Sequence, residues 1–358
     1  MTVEQNHFLT VDEFGQVFES SNADAQVSLP SLPTNNRLKE FYQHLELTDK
    51  AALKSRIDGK TYYVEAFDAP IMIEKLSIDP SKPETGVVEM TTGFTETFSF
   101  SQILVDDWDR FYTVSSRGLP MIFSDEAQNQ LFEFCDEYGD DFLKIGGQTY
   151  LTQRLYPDLD AVEKNPYWDQ VYQEEAKPGW DLNQPSPVLV DMLPRLKLPK
   201  SRILVLGCGF GHDAAFFAQN GHLVTAVDFS PLAIEGAKQR YGHLTNIQWH
   251  THDALNLPSQ FHAAFDLVFE HTCYCAINPM MRQQLVKTWT RCLVPNGTLF
   301  GVFFSMFKFQ GPPFGTTEWE IRKRLIPSFQ FLFWNRWRKS VPGRMGRELF
   351  VYARKKSQ

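Results

Sequence analysis

The sequence predicts an α/β fold in its C-terminal half, a mostly parallel, doubly wound sheet, with a small α+β domain ahead of it. Three observations carry this. From Leu198 onward, short apolar runs rich in β-branched residues alternate with helical stretches, which is the signature of repeated β–α–β units. The first of these runs, RILVL at 202–206, passes straight into a glycine-rich turn, GCGFG at 207–211. The chain closes on two strand-like runs, FQFLFWNRW (329–337) and ELFVYARK (348–355), with no long helix between them, so an antiparallel hairpin ends the parallel sheet.

At 358 residues the chain is long for one ordinary domain, so two are expected. We place a flexible leader at 1–36, because SNADAQVSLPSLPTNN (21–36) is polar and carries prolines. An α+β domain follows at 37–154. In it Leu38, Phe41, Tyr42 and Leu45 share a helical face over Arg37–Leu47. TYYVEAF (61–67), PIMIEKLSI (70–78) and GVVEMTTGFTETFSF (86–100) read as strands. A helix is expected from a cap at Ser124 or Asp125 to about Tyr138, and a hairpin turning on Gly146-Gly147. No catalytic motif lies in this domain.

The second domain is expected over 155–358. After the glycine turn comes a helix over about 211–220, then a strand, HLVTAVD (222–228). Ser230 and Pro231 start the next helix, serine as cap and proline in the first turn. NIQWHTHD (246–253), AFDLVFEH (264–271) and GTLFGVFF (297–304) are further strands, with a helix over 280–293. A parallel sheet with this hairpin ending is that of a Rossmann-like class I methyltransferase.

Composition narrows the partners. The formal net charge of -8 argues against nucleic acid, which needs a basic face. The longest apolar run, Leu299–Phe304, is too short to span a bilayer, and the N-terminal residues lack the layout of a signal peptide. Five cysteines, an odd number, fit a reducing cytoplasm. Cys273 and Cys275 have no second Cys/His pair at metal spacing, so no metal is expected. Aromatic content is 14%, which suits a ring-rich core and also a ring-lined pocket for a small molecule.

The cofactor motif is Gly207, Gly209 and Gly211 at the end of the first strand, where absent side chains let backbone turn tightly and approach a ligand. Asp228 and Phe229 follow at the end of the second strand, with the aspartate placed to accept hydrogen bonds from two ribose hydroxyls; Asp253 and Ala254 follow at the end of the third. Alone, each is also a plain turn residue or helix cap. The short glycine pattern and the hairpin ending favour S-adenosyl-L-methionine over NAD. Glu270, after the fourth strand, is a further candidate on the cofactor side; a polyamine synthase would use the same scaffold but wants more acidic residues there.

With these motifs placed, residues 165–358 resemble the thiopurine methyltransferase family, most closely its halide/thiol methyltransferase branch. The resemblance rests on LGCGFGHD, on FDLVFEHTCYCAINPMMR (265–282), on GPPF (311–314), on GRMGRELF from Gly343 and on GWDLNQPSP from Gly179. It implies an S-adenosylmethionine enzyme acting on small, soft nucleophiles, with Trp180 over the cofactor and Pro313 and Phe314 on the substrate side. The departures are Glu270, where the family often has Asp, Cys273, where it has aromatics, and His271.

Methyl transfer from a sulfonium is an in-line displacement of an activated group, so alignment and exclusion of water matter most. Trp168, Trp180, Tyr274, Phe307, Phe314 and Trp319 are candidate walls, each also a candidate for core packing. Arg282 and Arg347 are candidates to hold an anion, or partners in salt bridges; His271 is a candidate base, or a structural histidine. Cys273 and Cys275 read as small apolar fillers. The expectation is a small-molecule S-methyltransferase, against an O- or N-methyltransferase or a non-catalytic S-adenosylmethionine sensor.

Overall fold

A computed structural model describes residues 6–20, 35–79, 81–90, 94–155, 160–174, 178–308 and 311–357. The chain divides into two units, Met1–Pro157 with Thr317–Trp319, and Asp158–Thr316 with Glu320–Gln358.

The first unit is built of short strands. His7–Val11 forms a hairpin with Val17–Ser20 and pairs in parallel with Lys60–Ala66, burying Leu9 and Val11. Residues 7–20, expected in a leader, are therefore sheet; their partner lies some fifty residues away, and local polarity does not reveal it. The stretch 21–34 of that expected leader lies outside the described residues. PIMIEKLSI divides at Glu74 between two sheets, Ile71–Ile73 pairing with Pro120–Phe123 and Lys75–Asp79 with Lys82–Glu89. Ser124 caps a helix over Asp125–Phe134 by accepting from the Ala127 N–H. That helix stops short of Tyr138, because Cys135–Gly139 pairs instead with Phe142–Ile145. Gly146 and Gly147 (φ 58° and 80°) make the expected two-residue turn, with Ile145 facing Gln148. Trp319 belongs to this unit: its N–H donates to the Phe67 carbonyl at 3.0 Å, and the Arg110 guanidinium lies 3.1 Å over its ring.

The second unit carries seven strands, labelled here within the unit: β1 (Arg202–Leu206), β2 (Leu223–Asp228), β3 (Ile247–Thr251), β4 (Phe265–His271), β5 (Leu293–Phe304), β6 (Phe329–Trp337) and β7 (Glu348–Lys355). Their order is β3-β2-β1-β4-β5-β7-β6; β1 to β5 are parallel, and β7 runs antiparallel between β5 and β6. The fold is the Rossmann-like class I methyltransferase sheet expected. Both faces are apolar. On β1, Leu204 and Leu206 pack with Trp289 and Phe303 on one side, and Ile203 and Val205 with Phe217 and Phe269 on the other. A strand buried on both faces needs helices on both. The helices that pack there include α2 (Pro187–Leu196), α3 (His212–Gln219), α4 (Pro231–Tyr241), α5 (Arg282–Cys292) and, from Glu320 onward, α6 (Glu318–Leu325), while α1 (Asn165–Glu174) packs on α4.

The helix starts follow local chemistry. Gly211 takes a left-handed backbone (φ 83°) to cap α3, and the Ser230 hydroxyl accepts from the Ala233 N–H to cap α4. Asn278 caps a single 3-10 turn at Pro279–Met281, so α5 starts at Arg282, two residues later than expected. Strand order reverses beside β1, between β2 and β4, which opens a crevice at the carboxyl ends of the strands. Among the described residues no helix is long and apolar enough to cross a membrane.

Candidate active site

The crevice holds a cavity of about 700 Å³. Gly207 borders it; Gly209 and Gly211 do not, and the three glycines serve different needs. All have positive φ, at 60°, 52° and 83°. A Cβ on Gly207 would sit 2.8 Å from that of Cys273, and one on Gly211 would sit 2.6 Å from the Trp249 ring. These two are glycine because the protein packs against them. A Cβ on Gly209 would meet only the Tyr172 hydroxyl, at 3.3 Å.

Three strand ends feed the cofactor side. Asp228, at the end of β2, borders the cavity and accepts from the Gly209 N–H at 2.8 Å and the Ser230 N–H at 2.9 Å. Burial outweighs these donors and pushes its pKa up to about 6. A carboxylate has about four acceptor positions, so two remain after these bonds. Phe229, Asp253 and Ala254 border the same end, and Asp253 accepts from the Leu255 N–H at 2.8 Å. Trp168 on α1 and Trp180 close this end edge to face, 5.8 Å apart. Tyr172, one turn after Trp168, packs against Trp180 and Phe210 at 5.8 and 5.1 Å.

The other end of the cavity is lined by Cys275, Phe304, Met306, Pro312 and Pro313, with two guanidiniums. Arg344 lies 5.1 Å over the Phe304 ring and Arg347 5.8 Å over the same ring. Arg344 donates to His271 Nε2 at 2.8 Å and to the Trp180 carbonyl at 2.6 Å, and its Nη1 lies 3.4 Å from Glu348. Arg347 donates to the Gly343 carbonyl and to Met306 Sδ. Burial, then the neighbouring Arg344 charge, lower the Arg347 pKa. Burial pushes the Cys275 thiol up to about 12, so it stays protonated.

Several residues singled out in the sequence lie behind this cavity rather than on it. Arg282 is wholly buried; its Nη1 is 3.0 Å from Glu320, and its guanidinium lies 4.7 Å over the Tyr274 ring. Glu320 also accepts from Arg324 Nε at 2.9 Å, the Thr316 hydroxyl at 2.5 Å and the Tyr274 hydroxyl at 3.1 Å. Arg282 is thus one member of a buried ion-pair cluster centred on Glu320, placed at the start of α5 just after the 3-10 turn. Tyr274 belongs to that cluster. Phe314 is fully buried and donates its N–H to the Cys275 carbonyl, and Phe307 is buried away from the cavity. Glu270 accepts from the Tyr274 N–H at 2.7 Å, with burial pushing its pKa up to about 8, so it fastens the turn after β4 instead of reaching the cofactor end. His271 has both ring nitrogens engaged, Nδ1 with Asp213 at 2.8 Å and Nε2 with Arg344.

The sequence reading did not single out Tyr172, Phe304, Met306 or Arg344. Tyr172 had a signal, being four residues from Trp168 on one helix face. Arg344 stood in GRMGRELF, but nothing local distinguished it from Arg347. Among the described residues no group of three or more His, Cys, Asp or Glu is placed to hold a metal ion.

The cavity fits S-adenosylmethionine: a carboxylate with spare acceptor positions, apolar walls at the ends of β2 and β3, and indole faces suited to a sulfonium. A family model described as thiopurine S-methyltransferase matches residues 163–341. Probable thiol methyltransferase 2 of Arabidopsis thaliana is 31% identical over 175 residues, 48% of this chain and 77% of that protein. Thiocyanate methyltransferase 1 of the same plant is 28% identical over 187 residues, 51% of this chain and 81% of that one. Among solved structures, the N-methyltransferase NodS from Bradyrhizobium japonicum, in complex with S-adenosylhomocysteine, aligns with a TM-score of 0.44 and 18% identity, covering 54% of this chain and 100% of that one. With a family match over half its length and its sheet order in agreement, the chain belongs to the thiopurine S-methyltransferase family and is an S-adenosylmethionine-dependent methyltransferase.

Proposed function

We propose that the acceptor is a small, soft anion: a thiolate, hydrosulfide, thiocyanate or halide. One observation carries this reading. Arg344 and Arg347 sit side by side over Phe304, at the end of a cavity whose other walls there are thiol, thioether and proline. A weakly hydrated anion loses little on entering such walls and gains the guanidiniums; an ammonium would lose its hydration and meet like charge. The names of the thiol and thiocyanate methyltransferases point the same way.

In this reading Asp228 receives the ribose hydroxyls, Phe229 and Ala254 flank the adenine, Asp253 receives its amino group, and Trp168 and Trp180 lie over the sulfonium. When bound, S-adenosylmethionine supplies a methyl group already activated for displacement. The rings keep water out and the two arginines hold the anion in line. No base is required, and His271 is not available as one, since Asp213 and Arg344 occupy both its nitrogens. Labelled-methyl transfer to a matched panel tests the proposal. Thiocyanate, hydrosulfide or iodide should be methylated faster than amines or carboxylic acids, and the reverse order would overturn it.

A further inference from the structure

We infer that a groove beside α5 is a second ligand site, separate from the reaction, that binds the phosphate chain of a small polyphosphate. The groove has about 870 Å³ of space. It is lined by Lys287, Thr290 and Arg291 of α5, by Ser328 ahead of β6, and by Lys355 and Lys356 at the end of β7. Lys355 ends β7 on the side where β5 begins, so the groove reaches the amino ends of the parallel strands, whereas the cofactor crevice opens at their carboxyl ends. Gln284, in the first turn of α5, borders both.

Four cations and no carboxylate line the groove, in a chain whose formal net charge is -8. Elsewhere surface arginines are answered by acids: Arg195 by Asp191 at 3.0 Å and Arg202 by Asp266 at 2.7 Å. Among the described residues none of the four groove cations has an ion pair. The fold accounts for only part of this charge. The carboxyl end of a helix carries about half a negative charge, and at the end of α5 it faces both Arg291 in the last turn and Lys355. Lys355 Nζ donates to the Thr290 and Leu293 carbonyls at 2.6 and 2.8 Å, and Lys356 Nζ donates to the Ile326 carbonyl at 2.5 Å. These bonds hold both ammoniums in place and leave each with N–H groups to spare. Lys287 and Arg291 stand four residues apart on one face of α5, a spacing at which like charges weaken a helix. No carboxylate among the described groove residues offsets that repulsion; a multiply charged anion would. Cations spread along a groove match a chain of phosphates better than a single anion, since each added phosphate meets a further cation. The described lining holds no aromatic ring on which a base could stack, so the phosphate chain is recognised and the rest of the molecule is not.

The test uses the full chain saturated with S-adenosylhomocysteine, titrated by calorimetry with inorganic triphosphate and, separately, with ATP. Each should bind one to one, with affinities within about threefold of each other that weaken as salt rises. Lys287→Gln combined with Arg291→Gln should weaken both ligands by about tenfold or more, and Lys356→Gln by a smaller factor. Lys197→Gln combined with Lys200→Gln removes the same charge from another part of the surface and should leave binding within about twofold of the parent. Affinity for S-adenosylhomocysteine should hold in every variant, which also reports folding, because none of these residues borders the cofactor cavity. A parent that binds neither ligand, equal affinity in the two double variants, or ATP binding without triphosphate binding would overturn the inference. So would a single-stranded oligonucleotide that binds more tightly than triphosphate, which would make the groove a nucleic-acid surface. Should the α5 double variant not fold, Lys356→Gln decides against the same control: weaker triphosphate binding supports the site, and unchanged binding refutes it.

Discussion

The two ends of the cavity are built in different ways. At the end proposed for the cofactor, Gly207, Asp228, Phe229, Asp253 and Ala254 close three successive parallel strands or lie just beyond their ends. Once the β–α–β order is set, their convergence follows from the sheet. At the acceptor end, Phe304 closes β5, Met306 and Pro313 follow it, and Arg344 and Arg347 come from the short segment before β7. These meet only through tertiary packing; His271, out of sight of the cavity, bonds Arg344, and Arg282 lies behind it in a buried cluster with Glu320 and Tyr274. The cofactor end is positioned by topology; the acceptor end is positioned by a buried polar scaffold. The two should therefore fail differently when mutated.

The largest effect should come from that scaffold. Arg282→Ala takes one arginine from the buried Glu320, which Arg324 also contacts, and breaking a buried pair costs about 3 kcal/mol or more. Thermal unfolding should show the loss. In whatever fraction stays folded, acceptor KM should rise while affinity for S-adenosylhomocysteine holds. A variant as stable as its parent would mean that the cluster does not carry the acceptor end.

Asp228→Ala should weaken S-adenosylhomocysteine binding by about 2–4 kcal/mol, as expected for two hydrogen bonds to a charged group. It should also lower the melting temperature, because the Gly209 and Ser230 N–H groups lose their acceptor. The pH dependence has a definite sign. Burial raises the Asp228 pKa to about 6, so the protonated form is favoured in the folded protein, and this group's contribution to stability falls as pH rises from the unfolded value toward about 6. Ligand binding that needs the carboxylate runs the other way, strengthening as pH rises through about 6 and levelling above it. Calorimetry across that range should show the limb in the parent and not in Asp228→Asn. A flat parent profile would remove Asp228 from the binding site.

The smallest effect should come from Arg347→Met, which removes one of two cations at the acceptor end. Thiocyanate KM should rise about tenfold, matching the roughly 1–2 kcal/mol lost with a charge-assisted contact, while cofactor affinity and melting temperature stay near the parent values. A larger loss of cofactor affinity than of acceptor affinity would erase the division between the two ends.

The sequence read the strands and helices of the second unit closely because each signal there is local: apolar runs buried on both faces, a serine cap before proline, glycines after a strand. It placed Asp228 and Asp253 at neighbouring strand ends for the same reason, whereas Trp180 came from the family resemblance and Trp168 was expected on the substrate side. It did not tell which of Arg282 and Arg347 faces the cavity. Both are arginines in plausible motifs, and the first, just after the 3-10 turn before α5, is buried against Glu320. Nor did it anticipate Glu270 as the clasp of a turn, since that depends on the N–H of a residue four positions on. In the first unit it missed the strands at 7–20, whose partner is far along the chain.

By itself, the sequence determined the parallel sheet, its hairpin ending, the glycine turn and the carboxylates at the strand ends, because propensity, periodicity and capping act over a few residues. Tertiary structure alone decided which guanidiniums border the cavity, and that a histidine stands between Asp213 and Arg344. Those outcomes depend on burial, and on which donors and acceptors lie within about 3 Å of each other across long stretches of chain, which local pattern does not encode.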